Sequence, residues 1–180
     1  MTDRDLERDI LDVAKGRADA LNRIYAVYRH AVYTLSAAIL RDHHAAEDVS
    51  QEVFLKIWAK ARTYRIGSNP KAWIMGITRN EAITSLRNNR REYDIDDEFV
   101  REIPERELTE DLVLDSVSLA DRLGMVPSDE SEIILLRVIG GLTVRDISKL
   151  TGIPYTTVCR KYQNGISVLG EKWDKKKGDD

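Results

Sequence analysis

The stretch TVRDISKLTGIPYTTVCRKYQNG, residues 143–165, decides how this chain is read. Val144, Ile147 and Leu150 recur at a helical spacing that places them on one face. Thr151, Gly152 and Ile153 then break the pattern. Glycine suits the left-handed conformation of a sharp turn, and Pro154 fits the first turn of a following helix, where its missing N–H costs nothing. Val158 and Tyr162 anchor that second helix, and Ser148 is small enough for the two helices to cross closely. Two short helices joined by a tight turn are a helix-turn-helix. Tyr155, Thr156, Thr157, Arg160, Lys161, Gln163 and Asn164 lie away from the apolar anchors, a donor-rich set of the kind a DNA major groove accepts. The alternative is a plain helical hairpin with a solvated basic face.

Upstream of this motif, Pro127-Ser128 opens an apolar helix, Ile133 to Ile139, that Gly140-Gly141 ends. Asp129, Glu130 and Glu132 fall in its first turns, where the helix dipole favours negative charge. Leu112–Leu123 reads as a short amphipathic helix, and Glu92–Asp111, acidic and interrupted by Pro104, reads as a linker at a domain boundary. In the first half, Leu21, Ile24, Tyr25, Tyr28, Ala31, Val32, Leu35 and Ile39 form one long stripe that ends at the polar run Arg41 to His44. Val49, Val53, Phe54, Ile57, Trp58 and Ala61 form the expected buried face of a second helix, with Asp48, Gln51, Glu52 and Lys56 opposite. Thr63–Asn69 reads as a loop, and Asn69-Pro70 as the cap and first turn of a third helix running to about Arg91. Strict alternation is absent, so the expected fold is all-α: two small helical domains, 1–91 and 112–180, joined by an acidic linker, 92–111.

The charge is segregated in the same way. Residues 54–91 carry 9 basic side chains against Glu81 alone, residues 92–132 carry 15 acidic and 3 basic, and residues 133–180 carry 9 basic and 5 acidic. Two basic modules around an acidic connector suit a polyanionic partner. The 180-residue chain is too short for a large barrel or doubly wound enzyme, and no apolar run approaches the length of a membrane span. Its first residues, MTDRDLERDI, lack the basic and apolar parts of a signal peptide. Cys159, the single cysteine, rules out an internal disulfide framework and fits a reducing cytoplasm.

On the third helix, Asn80, Thr84, Arg87 and Arg91 share one face, while Met75, Ala82 and Leu86 point the other way. Just upstream, Tyr64, Arg65, Lys71 and Trp73 gather aromatic and basic groups around the loop, a combination suited to unpaired bases. By spacing alone, Trp58 and Trp73 are read as core residues.

The segment AAEDVSQEVFLKIW, residues 45–58, followed by AWIMGITRN, residues 72–80, resembles region 2 of the extracytoplasmic-function sigma factors of bacterial RNA polymerase. Pro127–Leu169 resembles their region 4. The resemblance implies a sigma factor that binds core RNA polymerase and directs it to promoters, with no cofactor. It implies that Asp48, Gln51, Glu52, Leu55 and Lys56 meet the clamp helices of the polymerase's largest subunit, with the flap as a further contact. The loop from Tyr64 to Lys71, with Trp73, would capture a flipped base of the minus-ten element, and Arg79, Asn80, Thr84, Arg87 and Arg91 would hold the strand and adjoining duplex. The helix-turn-helix would read the minus-thirty-five element, and the linker would thread toward the polymerase's active centre. An anti-sigma partner is implied on the same ground. Gly165 stands where the family usually has alanine, and a glycine inside a helix is expected to cost about 1 kcal/mol.

Other functions fit less of the chain. His30, His43 and His44 form no catalytic set, a metal shared by His43, His44 and Asp48 is weighed against a solvated turn, and no phosphate-cradling glycine loop is present, so no enzyme activity is expected. A repressor or activator that binds duplex DNA without polymerase would leave the polar face around Gln51 and the Tyr64 loop idle.

Overall fold

The computed structural model describes residues 1–93 and 126–177, and among them there are seven helices and no strands. They are α1 (Asp3–Ala14), α2 (Ala18–Leu40), α3 (His43–Lys60), α4 (Pro70–Tyr93), α5 (Ser128–Val138), α6 (Val144–Thr151) and α7 (Tyr155–Lys177). The all-α expectation holds. The sequence-predicted linker from residue 94 onward and the helix Leu112–Leu123 lie outside the described residues, and α4 runs two residues past the expected Arg91.

Helix α1 has no counterpart in the reading by periodicity. Its start is nevertheless encoded: Thr2 accepts the Asp5 N–H, and the Asp5 carboxylate accepts the Thr2 N–H in return, a reciprocal cap. Leu6, Ile10 and Val13 share the face that faces the bundle and are fully or almost fully buried. Burial of side chains of this kind stabilises by about 1.5–3 kcal/mol each. Helix α2 buries Ile24, Tyr28, Ala31, Val32 and Leu35 as the stripe predicts, while Tyr25 turns outward and meets the Phe54 ring edge-on at 4.8 Å. The polar run after it makes a corner: Arg41 takes a left-handed conformation (φ 54°), and the Asp42 carboxylate accepts the Ala45 N–H to cap α3.

Helix α3 buries Val49, Val53, Phe54 and Ile57, but Trp58 is 40% exposed. Its assignment to the core is corrected: the position falls at the edge of the apolar stripe, where the ring lies half in solvent. A single 3₁₀ turn, Ala61–Thr63, leads into the loop, and Asn69 caps α4 by accepting the Ala72 N–H at 3.1 Å, as its place before Pro70 predicts. Helices α1 to α4 form a bundle in which α2 packs against the other three.

In the second half, Ile133 to Leu136 are four consecutive buried residues on α5. A one-sided helix cannot bury four residues in a row; α5 does so because it packs against α2 on one side and α6 and α7 on the other. Thr143 and Asp146 form a reciprocal cap on α6, and Gly152 (φ 75°) ends it in the left-handed turn that the sequence predicts. Ser148 spans that turn by donating to the Ile153 carbonyl at 2.6 Å. The two halves share one apolar core, with α4 against α6 and α2 against α5. Among the described residues no helix is long and apolar enough to cross a membrane.

Candidate nucleic-acid interface

The loop between the 3₁₀ turn and α4 has a defined architecture. The Tyr64 ring is buried and packs edge-on against half-buried Trp73 at 5.5 Å. Its hydroxyl lies 2.8 Å from the Ser68 carbonyl and 3.1 Å from the Glu7 carboxylate on α1. Burial pushes this hydroxyl above its usual pKa range, the bond to Ser68 opposes that, and the Glu7 charge adds to it. The Ser68 N–H returns to the Arg65 carbonyl at 3.0 Å, with Gly67 left-handed (φ 79°) at the tip. Arg65, Ile66, Gly67 and Ser68 are exposed, Ile66 by 69%. Tyr64 and Trp73 therefore support the loop from beneath, and the residues between them face solvent.

On α4, Asn80, Thr84 and Arg87 are exposed on one face, as the spacing predicts; Arg91 lies outside the described side chains. Arg79 is set apart from them. It donates to Glu132 of α5, so the cation expected to hold DNA is ion-paired across the two halves. Lys71 is paired as well, with Asp3 at 2.8 Å, and its stem lies beside Gly141. In the helix-turn-helix, Tyr155, Thr156, Arg160, Gln163 and Asn164 are exposed, while Thr157 and Lys161 are half-buried. Lys161 donates to Asp129, and that hydrogen bond holds the Asp129 carboxyl below the usual carboxylate range. None of these pairs is visible in the spacing, because their members are far apart in sequence and are joined only by packing.

Helix α3 presents a different surface. Asp48, Gln51, Glu52 and Leu55 are exposed, Leu55 by 64%, with Trp58 one turn further on. Half-buried Lys56 bridges Glu52 at 3.6 Å and Glu81 of α4, and the Glu81 contact holds its ammonium above its ordinary pKa. The result is a polar face with an exposed apolar pair toward its C-terminal end, a pattern suited to a protein partner rather than to phosphate. Elsewhere, His43 Nδ1 lies 2.9 Å from the Tyr33 hydroxyl. Among the described residues no group of three or more His, Cys, Asp or Glu side chains is placed to hold a metal ion.

A helical bundle with an exposed mixed face on α3 and a loop carrying Arg65 and Lys71, followed by a helix-turn-helix, suits a transcription factor. Residues 24–92 match the sigma-70 region 2 family and residues 116–167 the sigma-70 region 4 family. The chain is 25% identical to the RNA polymerase sigma factor SigW of Bacillus subtilis over 91% of its length and 94% of that protein's. It is 26% identical to SigK of a Mycobacterium species, over 92% and 89% of the two chains. Among solved structures it resembles the sigma factor RpoE of Bartonella quintana bound to the anti-sigma factor NepR (TM-score 0.69, 26% identity, 83% and 94% covered). CnrH, solved with the cytosolic domain of CnrY, shares the fold (TM-score 0.67, 17% identity, 94% and 97% covered). The chain belongs to the extracytoplasmic-function sigma factors of the sigma-70 family, and it directs promoter-specific transcription initiation.

Proposed function

We propose that the chain divides its work among three surfaces. The outer face of α3, with Asp48, Gln51, Glu52, Leu55 and Lys56, docks on the clamp helices of core polymerase. The observation that carries this assignment is the exposure of Leu55 and Trp58 beside polar neighbours, since apolar side chains held in solvent next to a polar face fit a partner that dries them. The loop from Tyr64 to Lys71 takes a flipped base of the minus-ten element, and Asn80, Thr84 and Arg87, joined by Arg79 and Arg91, hold the strand. Extracting a base costs a few kcal/mol, which pocket and phosphate contacts must offset. Helix α7 reads the minus-thirty-five element as duplex through Tyr155, Thr156, Thr157, Arg160, Lys161, Gln163 and Asn164, and the polymerase flap holds this half in place. Residues 1–91 and 112–180 are the two recognition modules and 92–111 the acidic connector between them.

The protein works in the cytoplasm, where polymerase and promoters are. Its inhibitor is a protein of the anti-sigma kind, a reading supported by the likeness to RpoE, whose solved structure holds one.

Reconstituted transcription with core polymerase tests the division. Leu55→Ala together with Gln51→Ala should weaken core binding by tenfold or more, the scale of roughly 1.4 kcal/mol at one central contact. Asn80→Ala together with Arg87→Ala should leave core binding unchanged and impair promoter opening. Equal losses in both assays for both variants would refute the division, and no transcript from any promoter that core ignores alone would refute the function.

A further inference from the structure

The exposed loop takes its shape from a side chain outside it. Glu7 is half-buried on α1, directly against the loop. Its Oε1 accepts the Gly67 N–H at 2.6 Å and lies 3.1 Å from the Tyr64 hydroxyl. A carboxylate that accepts a backbone N–H makes a charge-assisted bond, stronger than its neutral counterpart. Here that bond fastens the left-handed tip of the loop, the point where a glycine backbone is otherwise most free.

Glu7 is itself fixed. Leu6 and Ile10 on either side of it in α1 are fully buried, and Asp9 accepts two N–H groups from Arg23 of α2. The reciprocal Thr2–Asp5 cap holds the start of the helix. A second acidic residue of α1, Asp3, pairs with Lys71 at the other end of the loop. One rigid helix thus grips the loop at its tip and at its exit, and leaves Arg65, Ile66 and Ser68 presented outward. A loop already ordered before binding pays less entropy when a ligand arrives and keeps a defined shape against wrong ligands.

We infer that Glu7 is a positioning residue for base selection: by holding the Gly67 N–H and the Tyr64 hydroxyl, it fixes the loop from which Arg65, Ile66 and Ser68 meet an unpaired base. The inference rests on the reading that this loop takes a minus-ten base, and the test separates the two.

Transcription by full-length protein with bacterial core polymerase is run on a template pool randomised across the minus-ten element, and base preference is read from the transcripts. With Glu7→Ala the preference for the favoured base over the next best should fall roughly threefold to tenfold, the scale of the net worth of one ordinary hydrogen bond. Core affinity should not change. Glu7→Gln, which keeps an oxygen acceptor in place, should restore most of the preference. An even loss of transcript with preference intact would mean that Glu7 only supports folding, and would overturn the inference. In the same pool, Arg65→Ala, Ile66→Ala and Ser68→Ala report on the loop. Altered preference in these variants with an unaltered one in Glu7→Ala overturns the role of Glu7 alone, whereas unaltered preference in all three overturns base capture by the loop. Should Glu7→Ala melt below the assay temperature, Glu7→Met supplies the same comparison, since it keeps the length of the side chain and removes the oxygen that accepts the Gly67 N–H.

Discussion

Asp9 is the buried charged side chain among the described residues, with its carboxylate 2% exposed. Its burial is matched by Arg23, whose Nε and Nη2 both donate to its Oδ1, at 3.0 and 2.7 Å. The arginine itself is half in solvent, so its removal leaves the acid stranded without creating a large cavity. Arg23→Ala should therefore cost about 1–3 kcal/mol, read from urea unfolding of the purified protein, the penalty for a buried acceptor left unmatched. This pair was not legible in the sequence. Asp9 sits in the charged opening MTDRDLERDI, whose density of acids and bases masks Leu6, Ile10 and Val13, although their spacing is helical. Glu7 escaped for the same reason: it reads as one solvated acid among several until packing brings the loop to it.

At the scale of elements, two glycines show why local propensity misleads. Gly165 was expected to weaken its helix, yet a Cβ there would stand 2.7 Å from Ile134 Cδ1 and 3.4 Å from Glu130 Cβ, so a side chain could enter only by pushing the Ile134 tip aside where α7 lies on α5. Gly140 closes α5 by donating to the Leu135 carbonyl, and a Cβ on it would meet the Leu136 carbonyl oxygen at 2.7 Å and Met75 of α4 at 3.2 Å. Since backbone cannot swing aside as a side-chain tip can, Gly140→Ala should destabilise by about 1–3 kcal/mol. A thermal melt showing a gain would contradict the contact. The helix-turn-helix was legible because its signals are local: the spacing of Val144, Ile147 and Leu150, a left-handed glycine at 152 and a proline at 154, although the cap that Thr143 makes went unread. The burial of α5 on two sides was not, since four apolar residues in a row say that a helix is enclosed but not by what.

For the whole molecule, both halves close on one core, and their contact uses groups that the proposed DNA surfaces also need. Met75, Gly76 and Arg79 of α4 face Gly140, Leu150 and Glu132 of the second half. The order of α2 to α7 followed from the sequence; this docking did not, because it depends on pairs more than fifty residues apart with no shared periodicity. Lys71, Arg79 and Lys161 already hold Asp3, Glu132 and Asp129 as tethered counterions. When phosphate displaces a tethered carboxylate, fewer small ions are freed than the number of contacts suggests. Affinity for DNA should then decline with rising salt more gently than the roughly 0.7 power per single-strand phosphate, or 0.9 per duplex phosphate, that free cations produce. Asp3→Asn, Asp129→Asn and Glu132→Gln combined should steepen that decline by roughly 0.7–0.9 for each cation released. An unchanged slope would mean that these carboxylates leave the lysines and the arginine as accessible to mobile salt as if they were absent, whereas a steeper one would mark the protein as carrying its own electrolyte.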